Sequence, residues 1–208
     1  MINTIIFDFG DVFINLNKDG VKEAFEKLGL FSSNQELEEL NHKYEIGQIS
    51  EQQFLEGFQK FIPQASLLDI RNAWNAVIGE FPLHRLEFLQ MLSEKYRLFL
   101  LTNTDATHIE RFEHMAGISF SRDFYQCFEK VYYSYEMGMR KPDPQIFEHI
   151  IRKHDLSLKR TLFVDDKKEN TDAAQSVGLQ VWNLEPEKED VVNLFDLKII
   201  QSYSLGHL

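Results

Sequence analysis

The sequence predicts an α/β fold: a Rossmann-like parallel sheet core carrying an inserted α-helical cap subdomain. Three observations predict it. Short apolar runs recur at 4–7, 98–101, 131–134, 161–164 and 179–182, each the length of a buried strand. Segments of helical period separate the later runs, the alternation that a parallel sheet requires. Between the first run and residue 84, by contrast, only helical periodicity is present.

The first run, TIIF, leads directly into Asp8. The helical insert then repeats apolar residues at helical spacing: Val21, Phe25 and Leu28; Leu37, Leu40 and Tyr44; Phe54, Phe58 and Phe61; Ile70, Ala73, Trp74 and Val77. This places a helical cap at 16–81 and the α/β core at 1–15 and 82–208. Within the core, a helix over 84–95 buries Leu86, Leu89 and Leu92 and leads into the second strand. Asp143 precedes Pro144 as an N-cap before a proline at the first helical position, with Ile146, Phe147, Ile150 and Ile151 on the buried face. A short helix over 170–177 ends at Gly178, a residue suited to the position after a helix C-terminus.

Composition bounds the function. A chain of 208 residues buries roughly 70% of its unfolded surface and needs no disulfide or structural metal to fold. The 18 Phe read as bulky core packing rather than as an aromatic binding stripe. A net charge of −11 argues against nucleic acid and anionic membranes as partners. The single cysteine, Cys127, allows no disulfide within the chain and gives no zinc spacing, and the seven His form no ligand pattern. The N-terminus has neither a basic flank nor a long apolar run, so the expectation is a cytoplasmic protein without signal peptide or membrane anchor.

The chemistry lies at the strand ends. Asp8 follows the first run, Thr102-Asn103 the second, Lys141 the segment after the third, and Asp165-Asp166 the fourth. In a parallel sheet these ends converge on one edge. Three carboxylates gathered there repel one another and need a compensating cation. Lys141 provides one charge, and an oxygen-only ligand set without His or Cys points to Mg²⁺ for the rest.

Four stretches in order, IIFDFGDV, LFLLTNT, GMRKPDPQIF and LFVDDKKENTDAAQSVG, resemble the motifs of the haloacid dehalogenase-like (HAD) superfamily, most of whose members are phosphatases. YEIGQISEQQF is similar to the helical cap of the branch holding bacterial sugar phosphatases and epoxide-hydrolase N-terminal phosphatases. The resemblance implies a Mg²⁺-dependent hydrolase of a small phosphorylated metabolite, a sugar phosphate among the candidates. Asp8 would be the nucleophile forming a phospho-aspartyl intermediate. Thr102, the backbone amide of Asn103 and Lys141 would hold the phosphate. Asp8, the Gly10 carbonyl and Asp166 would ligate the metal. Asp165 holds either a metal-bound water or Lys141, Arg140 faces solvent, and Asn170 either bonds the metal's surroundings or begins its helix.

One position departs from the resemblance. Most HAD phosphatases carry an Asp two residues after the nucleophile, which protonates the leaving oxygen and later activates water. Here Gly10 stands there, and Asp11, one place on, points the other way in an extended chain unless the loop turns. This glycine is the best support for a second reading, a catalytically weak or inactive binding module. A dehalogenase leaves the Asp165-Asp166 pair unexplained, and a mutase depends on the acid that is missing.

Overall fold

The computed structural model describes residues 1–201. In chain order its elements are β1 (Thr4–Phe7), α1 (Lys18–Lys27), α2 (Gln35–Glu45), α3 (Glu51–Gln59), α4 (Leu67–Asn75), α5 (Leu83–Ser93) and β2 (Arg97–Thr102). They continue with α6 (Ala106–Ala116), α7 (Ile118–Tyr125), β3 (Lys130–Tyr133), α8 (Ser134–Met137), α9 (Pro144–His154), β4 (Thr161–Asp165), α10 (Lys168–Ser176), β5 (Gln180–Asn183) and α11 (Lys198–Gln201).

The five strands form one parallel sheet in the order β3-β2-β1-β4-β5. The chain starts at the centre, builds outward to β3, and crosses back to β4. Its direction therefore switches beside β1, the place where open α/β sheets form a ligand crevice. Alternate residues feed two cores, as the period of two dictates. Ile5, Phe7, Leu98, Leu100, Leu162 and Val164 pack on one face with Leu89, Phe112 and Phe124. Ile6, Phe99, Leu101 and Phe163 pack on the other with Phe147 and Ile150 of α9.

Every strand after the first differs by one residue at one or both ends from the sequence reading. Ser134 does not extend the third strand; it opens α8 and clasps the β2 end, accepting from Thr104 N at 2.9 Å and donating to Thr104 O at 3.0 Å. The fifth strand runs one residue later than expected, because Leu179 still belongs to the turn closing α10 and its N–H donates to Ala174 O. Asp143 caps α9 as expected, its carboxylate accepting from Gln145 N.

Helices α1 to α4 share a core of their own around Phe25, Leu37, Tyr44, Phe54, Phe58 and Ile70. Side-chain caps start each of them, from Asn17, Asn34, Ser50 and Ser66. The two chain passages joining this bundle to the sheet run antiparallel: Asn15 N bonds Glu80 O, Asn17 N bonds Val77 O, and Gly79 N bonds Asn15 O. Buried Arg85 ties them down through Phe13 O and Asn15 Oδ1. Among the described residues no helix is long and apolar enough to cross a membrane.

Candidate active site

Asp8 continues β1 by one residue, its N–H still bonded to Val164 O at 2.9 Å. The register pairs Phe7 with Val164, so Asp8 stands level with Asp165 at the end of β4. Both follow the parity of Ile6 and Phe163, which carries their side chains toward the α9 face. There Lys141 reaches between them, its Nζ 2.8 Å from Asp8 Oδ1 and 2.6 Å from Asp165 Oδ2. All three residues are buried. Burial pushes the Asp8 carboxyl up to about 6, with Lys141 opposing and Asp165 adding to the rise. Burial alone would depress Lys141, but Asp165 and Asp8 outweigh it and hold the ammonium above its ordinary value. The result is one cation between two carboxylates.

Asp165 is the anchor of this group. Beyond Lys141 it accepts from Lys167 N at 2.8 Å and from Asn170 Nδ2 at 3.0 Å on each oxygen. Of its two expected roles, it therefore takes the one that holds Lys141. Asn170 serves the same group from inside α10, and its Oδ1 is buried without a partner.

Asp166 behaves differently. Among the described residues no donor or cation is bonded to its side chain, and burial, then Asp165 and Asp11, raise its pKa. Asp8, Asp165 and Asp166 each offer an oxygen within 4.8 Å of the others. Among the described residues no hydrogen bond reaches the Gly10 carbonyl, and Gly10 lines the same cavity. Uncompensated oxygens of this kind, with no nitrogen or sulfur among them, suit a hard divalent cation. Thr102 is buried with its hydroxyl unbonded, and the Asn103 N–H is likewise free among the described residues. These are the groups that could hold an oxyanion.

A cavity of about 300 Å³ opens over these residues. Asp8, Gly10, Thr102, Asn103, Lys141 and Asp166, all expected from the sequence, line its floor. The helical bundle supplies apolar walls from Val21, Trp74, Val77 and Ile78, and one acid, Glu45. Three features were not legible beforehand. Arg140 does not face solvent: it lies 2.9 Å from Glu45 Oε2 and 3.2 Å from His42 Nδ1, tying the α2 end to the Lys141 segment. His108 is a packing residue whose ring partner lies far off in the chain: it stacks on Trp74, with Nδ1 3.1 Å from Asp105 Oδ2 and Nε2 3.1 Å from Trp74 O. Asp105 also accepts from Trp74 Nε1 at 3.0 Å.

The loop after Asp8 does turn, with Asp11 at φ 54°. Yet Asp11 is occupied: Oδ1 accepts from Leu16 N at 2.8 Å and Oδ2 meets Lys18 Nζ at 2.6 Å. It fixes the turn and does not line the cavity.

Comparison with known proteins agrees with this architecture. The family model for haloacid dehalogenase-like hydrolases matches residues 2–178. A D-ribitol-5-phosphate phosphatase of Bacteroides thetaiotaomicron is 27% identical over 191 residues, covering 89% of this chain and 93% of the relative. A HAD family enzyme from the same organism, crystallised with magnesium and inorganic phosphate, superposes with a TM-score of 0.82 at 32% identity, covering 94% of this chain and 100% of that one. A predicted HAD-like hydrolase from Porphyromonas gingivalis has a TM-score of 0.75 at 28% identity, covering 88% and 90% of the two chains.

Proposed function

The chain belongs to the haloacid dehalogenase-like hydrolases, and on that premise we propose a Mg²⁺-dependent phosphatase of a small phosphorylated metabolite with Asp8 as its nucleophile. The observation that carries the proposal is the bridging of Asp8 and Asp165 by Lys141, beside an unpartnered Asp166 in one cavity. A structural ion group would have no use for the second acid.

Asp8 attacks phosphorus, and Lys141 keeps it ionised and aimed while adding a positive charge beside the phosphoryl oxygens. Thr102 Oγ1 and the Asn103 N–H donate to those oxygens as they gain charge in the transition state. Asp165 takes no direct part; it holds Lys141 in place. Asp8, the Gly10 carbonyl and Asp166 would hold Mg²⁺, which would supply positive charge to offset the carboxylates and the phosphate. Residues 16–81 act as a cap whose walls surround the organic part of the substrate. The relative's activity on D-ribitol 5-phosphate supports a sugar or polyol phosphate, and a cytoplasmic setting suits the unpaired Cys127.

The test is phosphate release from p-nitrophenyl phosphate and a panel of sugar and polyol phosphates, with and without Mg²⁺. Expected is Mg²⁺-dependent turnover that Asp8→Asn abolishes while leaving the thermal melt unchanged. A wild type that releases phosphate from none of them, or an Asp8→Asn variant at near wild-type rate, overturns the reading.

A further inference from the structure

We propose that Glu45 is the general acid–base of this site, standing in for the carboxylate that Gly10 does not supply. The inference rests on the phosphatase reading above and deepens it.

Several groups in or beside the cavity can exchange protons. Asp8, Asp166 and Lys141 are committed to nucleophile, metal and ion bridge. Asp11 has both oxygens bound and lies outside the cavity. His108 lines it, but one ring nitrogen faces Asp105 and the other Trp74 O, so no proton of the imidazole is left for a substrate. Lys167 lies on the exposed rim. Glu45 remains.

Its setting fits the role. Glu45 is the last residue of α2, where the negative end of the helix disfavours a carboxylate. Its Oε2 is closed off from solvent and accepts no aligned hydrogen bond, with Arg140 Nη1 off-axis at 2.9 Å. Burial raises its pKa, and Arg140 only partly offsets this; Asp105 raises it further, while Lys167 and His108 lower it. A raised pKa favours the protonated form from which a general acid donates. Two contacts hold it over the floor. Arg140, the residue before Lys141, pairs with it, and Gly47, at φ 68°, lets the loop after α2 pass so close to Tyr135 that a Cβ there would collide with Tyr135 O.

In the first step Asp8 Oδ bonds to phosphorus and the bond from phosphorus to the leaving oxygen breaks. The electron pair goes to that oxygen, which takes the Glu45 proton and departs as an alcohol. In the second step water attacks the phospho-aspartate and gives its proton to the Glu45 carboxylate. The bond from phosphorus to Asp8 breaks, returning the electron pair to Asp8 and releasing phosphate.

The experiment compares Glu45→Gln with wild type on butyl phosphate, ribitol 5-phosphate and p-nitrophenyl phosphate, with melting curves as a fold control. A poor leaving oxygen needs the proton and a nitrophenolate does not. Expected is a loss of kcat of about 10²–10⁴ on the alkyl phosphates, against only a few-fold change in the burst of nitrophenolate. Phospho-enzyme then accumulates, because the second step lacks its base. Adding Gly10→Asp to Glu45→Gln restores alkyl turnover. The Gly10 backbone lies outside the left-handed region, and its Cβ would press on the Leu16 side chain, nearest at Cδ1, 2.9 Å away, so that Leu16 must give way. A nitrophenolate burst slowed as much as alkyl turnover, a rise in KM at constant kcat, or a wild type confined to aryl phosphates overturns the assignment. Failure of the phosphatase reading looks different: wild type itself then forms no phospho-Asp8 and releases no phosphate.

Discussion

The Asn103 side chain and the Lys141 backbone exchange two hydrogen bonds, Nδ2 to Lys141 O at 2.8 Å and Lys141 N to Oδ1 at 2.9 Å. An amide side chain thereby mimics a neighbouring strand and sets the height at which Lys141 enters the site. Asn103→Leu should lower kcat by about 10–100-fold, the range typical of groups that orient a reacting side chain. Asn103→Asp, which keeps the acceptor, should lose less. Steady-state kinetics of both variants check this; equal, negligible effects would show that other contacts position Lys141.

Lys141→Met should destabilise the protein by about 3–5 kcal/mol, because Asp8 and Asp165 are left buried and uncompensated. Adding Asp165→Asn should recover part of the stability and none of the activity. Urea unfolding measures both. A single variant as stable as wild type would contradict the ion bridge.

Mg²⁺ should stabilise the wild type, by about 2.7 kcal/mol at a hundred times its Kd, through binding to the folded state alone. Asp166→Asn should remove this gain without lowering the melting temperature of the metal-free protein, since the Asp166 carboxylate has no partner to lose and is crowded by Asp165 and Asp11. Asp165→Asn should lower the metal-free melting temperature instead. Calorimetry with and without Mg²⁺ separates the two acids.

The Asp105–His108 pair predicts a pH signature. Burial disfavours the charged imidazole, but Asp105, Trp74 O and Glu45 outweigh it and raise the folded-state pKa above 6.5. A raised folded value means stability fully present below the unfolded pKa and lost as pH climbs through the folded one. The stability gap between wild type and His108→Gln should therefore be widest below about pH 6.5 and narrow above it. A gap that widens with rising pH would refute the pair.

Gly47→Ala should displace the loop after α2, since the new Cβ would collide with Tyr135 O and the residue sits at φ 68°. A cost of about 1–3 kcal/mol is expected. If Glu45 works from this loop, alkyl-phosphate turnover falls more than aryl turnover. Unfolding curves and paired kinetics give the answer.

Much of the molecule could be read in advance, and the reasons are local. Apolar runs of strand length, separated by helical-period segments, specify a parallel sheet. In such a sheet the residue following each strand must emerge at the same edge. Asp8, Thr102 and Asp166 stand at or just past such strand ends, and Lys141 lies in the segment after the third strand; the structure lines one cavity with all four. The Asp143 cap of α9 was equally local, since an N-cap is a matter of a few adjacent residues.

What the tertiary structure decided was contact between segments far apart in the chain. Whether Asp165 or Asp166 holds Lys141 depends on register: Asp165 stands level with Asp8, and its neighbour points away. Arg140 reads as a surface cation in sequence and is turned inward by Glu45, nearly a hundred residues earlier. His108 shows no ligand spacing, because its partners, Asp105 and Trp74, converge only when α4 lies against α6. Gly10 and Asp11 show the same division. The missing carboxylate is plain in the sequence, but only the folded loop, with Asp11 bound to Leu16 and Lys18 and Glu45 brought over the cavity, determines which residue is placed to replace it.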